Sequence, residues 1–127
     1  MKNGIRIILA LLLGYTMLMR GNASPFPSEP QPDFPKKVTG ILTKSCYHCH
    51  TTGSNAKKAL DAYDFYKWEE YKLTKKISLL TKICEVVEKG DMPPGKYLKQ
   101  HPENALSESD IKTICNWTKK ESEKLIK

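Results

Sequence analysis

The sequence predicts an all-α domain of three to five helices joined by long loops. Three observations carry that reading. Apolar residues recur at intervals of three and four in separate stretches of the 127-residue chain, the spacing that lines one face of a helix. No run alternates apolar and polar residues for long enough to read as a strand. The clearest periodic stretch stops at Gly90 and is followed by Pro93 and Pro94, which cannot continue it.

The chain opens on a segment that does not belong to that domain. Lys2 and Arg6 precede a thirteen-residue apolar run, Ile7 to Met19, and small residues follow at Gly21 and Ala23. This order describes a secretory signal peptide, and the run falls short of the roughly 20 apolar residues of a membrane span. Residues 1–23 are therefore expected to be cleaved, leaving an exported, periplasmic protein of bacterial type with no membrane attachment. An uncleaved anchor is the alternative. Residues 24–36 form the next unit, a Pro-rich linker: Pro25 to Pro35 holds five of the eight prolines and is expected to be an extended tether. The folded domain is expected at 37–127.

Within the domain, Val38, Ile41 and Leu42 predict a short amphipathic helix running into Cys46. Thr51 to Asn55 is a loop by composition. The stretch from Lys57 to Tyr71 begins like a helix and then gathers Tyr63, Phe65, Tyr66, Trp68 and Tyr71, a set that suggests a wall against something large and flat. From Thr74 onward Ile77, Leu80, Ile83, Cys84 and Val87 mark a helix ending at Gly90, where a left-handed stop is natural. Ser107 is a good N-cap for the last helix, with Asp110 three residues on. Ile111, Ile114, Cys115, Thr118 and Leu125 share its apolar face.

Charge narrows the classes of partner. The whole chain has 21 basic and 14 acidic residues, and removing Lys2, Arg6 and Arg20 with the signal leaves a balance of +4 carried by lysine alone. Without arginine to fork onto phosphates or base edges, nucleic acid is not an expected partner. A lysine-rich surface suits solubility, or brief docking to an acidic protein face.

The chemistry gathers in Ser45-Cys-Tyr-His-Cys-His-Thr51. Two cysteines three apart with a histidine directly after the second form Cys-X-X-Cys-His. On one helical turn, two such thiols reach the two vinyl groups of a haem, and the next residue offers its imidazole to the iron. Cys46 and Cys49 are thus the expected covalent attachment points and His50 the proximal ligand, with His48 a bystander. Two rivals remain. A zinc site needs a second ligand pair, whereas Cys84, Cys115 and His101 are scattered. A redox dithiol belongs in a strand-helix-strand setting that the sequence does not suggest.

Iron in a haem has a second axial face. Met92 is the one methionine that remains after signal cleavage, and it sits in a loop stiffened by prolines. A soft thioether there favours ferrous iron. His101 is the alternative sixth ligand, an open site the third possibility. Cys84 and Cys115 remain, and export together with parity favours a disulfide between them over two buried thiols.

These segments resemble class I monohaem cytochrome c: a helix running into "CYHCH", a "DMPPG" methionine loop and a closing helix "LSESDIKTICNWTKK". The order "ILTKSCYHCHT", "ICEVVEKGDMPP", "HPENALSESDIKTICNW" is similar still more to the small haem-binding domains of exported bacterial proteins. The resemblance spans residues 38 to about 120. It implies a cytochrome c-like helical bundle around one covalent haem c, with His50 and Met92 as iron ligands. Lys57 to Tyr71 has no clear counterpart in mitochondrial-type cytochromes.

The expected function is one-electron transfer by a monomeric carrier, not an enzyme, since no nucleophile with a base beside it and no paired carboxylates stand out. Its expected partners are redox proteins with an acidic docking face, met through Lys44, Lys96 and Lys99. A haem-based sensor with a displaceable sixth ligand and a non-haem module held by disulfides, Cys46 to Cys49 among them, are the alternatives.

Overall fold

A computed structural model of the chain describes residues 31–127. The expected signal peptide and the first part of the linker lie outside the described residues.

Five α-helices follow one another: α1 Lys36–Ser45, α2 Lys57–Ala62, α3 Leu73–Glu88, α4 Gly95–Leu98 and α5 Glu108–Ile126. Short 3-10 helices at Phe65–Glu70 and Pro102–Asn104 flank α3 and α4. Among the described residues there is no strand, so the all-helical class read from the sequence holds. None of the described helices is long and apolar enough to cross a membrane.

The helices end where local chemistry dictates. At the close of α3, Gly90 adopts φ +73°, its N–H donates to the Val87 carbonyl, and the Asp91 N–H donates back to Val86. This is a Schellman stop, and a residue without Cβ takes that backbone conformation at least cost. At the start of α5, the Ser107 hydroxyl accepts from the Asp110 N–H at 3.1 Å while the Asp110 carboxylate accepts from the Ser107 N–H at 3.0 Å. That reciprocal box satisfies two otherwise orphaned donors.

The two long helices, α3 and α5, pack along each other, and α1 lies against α5. Cys84 and Cys115 are bonded across the α3–α5 seam, as parity suggested. Their Cα atoms are 4.8 Å apart and 31 residues apart in sequence. Closing a loop of that length is worth about 3–4 kcal/mol in the chain-entropy account. An unreduced, denatured sample of holoprotein is accordingly expected to show no free thiol, since two sulfurs lie in this bridge and two are expected in thioethers. Two reactive thiols per chain that map to Cys84 and Cys115 would count against the bridge.

Aromatic rings build much of the core. Phe65 and Trp68 are buried, and Phe34 meets Trp117 at 4.8 Å, Trp68 at 5.4 Å and Phe65 at 6.4 Å between centroids, all edge to face. Two sequence expectations change here. The linker expected to run to residue 36 ends earlier, because Pro32 is buried and Phe34 inserts among these rings. The expected apolar face of α5 left out Trp117, which is 5% exposed and central to the cluster. The aromatic stretch 63–71 also divides: Phe65 and Trp68 are core, whereas Tyr63, Tyr66 and Tyr71 are half-buried around it.

Candidate functional site

The turn that follows α1 carries the site. α1 buries Val38, Ile41 and Leu42 and ends at Ser45. The chain then makes one further turn, in which the Cys49 and His50 N–H groups both donate to the Cys46 carbonyl, at 3.1 and 3.0 Å. Cys46 and Cys49 are therefore stacked on a single turn. Both are half-buried and unpaired. Burial, followed by the neighbouring Cys49, pushes the Cys46 thiol up to about 12. The dithiol rival lacks its strand-helix-strand setting, since there is no strand among the described residues. The zinc rival loses its second thiol pair, because Cys84 and Cys115 are bonded to each other.

His50 is buried, and its ring is set from two sides. Nδ1–H donates to the Tyr63 carbonyl at 3.3 Å, and the Tyr63 ring stacks on the imidazole at 4.2 Å between centroids with only 13° between planes. A histidine that gives Nδ1–H to a carbonyl keeps its lone pair at Nε2, the tautomer a metal requires. Burial holds His50 below the usual histidine range, which keeps it neutral and able to ligate. The Phe65 N–H closes the arrangement by donating to the His50 carbonyl at 2.8 Å.

Asp64 anchors this support. Its buried carboxylate caps the Phe65–Glu70 turn through the Tyr66 N–H at 3.0 Å and accepts from the Thr52 N–H at 3.1 Å and the Thr52 hydroxyl. Its own N–H donates to the Tyr71 hydroxyl at 2.7 Å. The loop after His50 and the segment that presents Tyr63 are thereby fastened together. From the sequence, Tyr63 is expected only as part of an aromatic wall, and Asp64 carries no expected role. An Asp directly before "FYKW" was a legible capping signal. A backbone acceptor leaves no mark in the sequence at all.

Met92 follows the Schellman stop, with its N–H donating to Val86 at 3.3 Å, and it is 37% exposed. It is not a core residue. Pro93, next to it, is buried. His101 is occupied elsewhere: its ring lies 4.7 Å from Tyr97 and 5.4 Å from His48, and Nδ1 faces Glu103 at 3.5 Å. Lys44 is also engaged, to Asp110 at 2.9 Å and to the Ala105 carbonyl at 3.2 Å. It ties α1 to the start of α5 and is not a free docking charge. Lys96 and Lys99 are exposed and form no ion pair among the described residues.

Comparison with known families supplies the class of cofactor for the chain. Residues 53–120, 68 of the 127, match the protein family described as the haem-binding domain. The chain belongs to that family. No curated protein and no solved structure matches it. The haem-binding domain match takes in Met92, Tyr97, His101 and both cysteines of the disulfide. Cys46, Cys49 and His50 lie just ahead of the matched span.

The donor set fits the group. Two thiols on one turn and a neutral imidazole whose Nδ1–H is engaged by a carbonyl are what a covalently held haem needs from one side. Two of the buried polar atoms without a partner, Ser45 Oγ and Tyr47 Oη, belong to the residues before and after Cys46 in the chain. Such atoms are costly when left alone, and the carboxylates of a haem are acceptors that suit them.

Proposed function

We propose that this haem-binding protein is an exported c-type cytochrome that carries single electrons, with His50 and Met92 as axial ligands. The observation that carries the reading is the turn Cys46 to His50, where two unpaired thiols and a histidine held through Nδ1 share one helical turn while the other two cysteines are bonded to each other. When bound, the haem supplies a one-electron couple at its iron. The chain's share is to hold, orient and shield it.

Cys46 and Cys49 hold the group as thioethers. The Tyr63 carbonyl and ring fix the plane of His50, and the hydrogen bond makes its lone pair a stronger donor. Met92 offers a thioether on a loop held by the Schellman stop and by buried Pro93, and its exposure fits a side chain reserved for a ligand better than a packing residue. Filling both axial positions leaves no place for a substrate, so the protein is proposed as a carrier and not as an enzyme. Its partners would be redox proteins with an acidic face, met as a monomer through Lys96 and Lys99 after export.

An absorption spectrum of holoprotein made with a haem-attachment system tests the reading. The expected result is a six-coordinate spectrum that is reversibly reduced and unchanged by carbon monoxide. A ferrous spectrum shifted by carbon monoxide would favour the sensor alternative, and the absence of haem would favour the disulfide-held module. For the docking face, reduction by an acidic protein partner is expected to slow as salt rises, because exposed charges are screened beyond about 8 Å at physiological ionic strength. Lys96→Glu with Lys99→Glu should slow it further at low salt. A rate indifferent to both would remove the lysines from docking.

A further inference from the structure

A cluster centred on Tyr97 takes no part in holding the haem as described so far. Tyr97 lies in α4, which starts directly after Pro94. Asn104 Nδ2 donates to the Tyr97 hydroxyl at 2.7 Å, and the hydroxyl reaches His48 Nδ1 at 3.1 Å. With the amide donating, the hydroxyl hydrogen is left for His48. The rings of Tyr97 and His48 also meet edge to face at 5.4 Å. Backbone bonds close the rest of the cluster: the His101 N–H donates to the Tyr97 carbonyl at 3.0 Å, and the Asn104 N–H to the His101 carbonyl at 3.1 Å.

His48 stands between Cys46 and Cys49 on the attachment turn. Tyr97 therefore joins the segment just after Met92 to the turn that carries His50. The methionine loop is held at two ends. At one, the Asp91 and Met92 N–H groups share the Val86 carbonyl, at 2.9 and 3.3 Å. At the other, Tyr97 clasps His48. Between them lie only Pro93, Pro94, Gly95 and Lys96, too short a stretch to let the thioether wander while both ends hold.

We propose that Tyr97 is a positioning residue for Met92, its hydroxyl fastening the methionine loop to the haem-attachment turn and setting how readily the thioether yields to a competing ligand. This rests on the His50/Met92 reading. A competitor binds only those molecules whose methionine is off the iron, so its apparent affinity scales with that fraction. Losing the hydrogen bond from that hydroxyl to His48, the link between the two segments, is expected to raise the fraction up to about tenfold.

The test is an imidazole titration of ferric holoprotein, followed by absorbance, with thermal unfolding measured alongside. Tyr97→Phe keeps the ring and loses the hydroxyl, and it should bind imidazole about tenfold more tightly than the native protein. Met92→Ala sets the upper limit, binding more tightly still. His48→Ala should match Tyr97→Phe, and the double variant should add little, because both changes cut the same link. Should Tyr97→Phe fail to give holoprotein, Asn104→Ala provides a milder lesion, with about threefold expected. Tyr97→Phe within twofold of the native affinity, while Met92→Ala binds far more tightly, would overturn the proposal, whatever the melting temperature does. Met92→Ala binding no more tightly than the native protein would refute the axial reading itself, and the positioning role with it.

Discussion

Replacing both Cys46 and Cys49 by alanine is expected to abolish covalent haem, so that denatured protein run on a gel carries no haem stain and its mass equals that of the polypeptide. Each single replacement should leave at most one thioether and far less holoprotein. The reason lies in the turn itself. Cys49 and His50 both donate to the Cys46 carbonyl, so one turn sets the backbone spacing of the two sulfurs and the imidazole, while Tyr63 orients the ring. Removing both sulfurs leaves only axial bonds and pocket contacts, which denaturation breaks. The bundle should survive, since the Cys84–Cys115 bridge is untouched and Cys46 is a partly buried residue packed against the core cluster, not a member of it. Haem that stays covalently attached to the double variant would end the c-type reading while leaving haem binding itself in place.

Met92→Ala is expected to erase the weak absorbance at the red end of the ferric spectrum that marks an iron–sulfur bond, and to lower the reduction potential. A thioether stabilises ferrous iron relative to a harder or absent ligand. Axial ligation spans about 0.8 V among haem proteins, so a fall of roughly 100 mV or more is the expected scale. The fold should be little disturbed, because the side chain is more than a third exposed and fills no core site. An unchanged spectrum and potential would place the sixth ligand elsewhere. His101 would be the first candidate, although it would have to leave Tyr97, His48 and Glu103 to serve.

Helix positions were legible wherever the signal was local. Ser107 and Asp110 cap α5 as their spacing required, and Gly90 stops α3 by the conformation that only glycine enters cheaply. The pairing of Cys84 with Cys115 was legible from parity, since four cysteines with two claimed by one motif leave two. Phe34 was not, because a phenylalanine among prolines reads as tether until α5 and the 65–70 turn converge to receive its ring. Trp117 was missed for a related reason: the periodic face drawn through Ile114 and Thr118 was too narrow, and helix faces that pack on aromatic clusters are wide.

By itself the sequence determined the class of fold, the helix ends and the chemistry on offer: two thiols and an imidazole on one turn, a lone methionine in a proline-stiffened loop, and two further cysteines. Periodicity, capping and ligand spacing act over a few residues, so they can be read along the chain. Only the tertiary structure decided how those groups are held. Tyr63 reaches His50 across thirteen residues, Lys44 reaches Asp110 across sixty-six, and Tyr97 reaches His48 across forty-nine. Contacts of that separation depend on where whole helices pack, and they use common donors and acceptors, backbone carbonyls included, that no local pattern distinguishes.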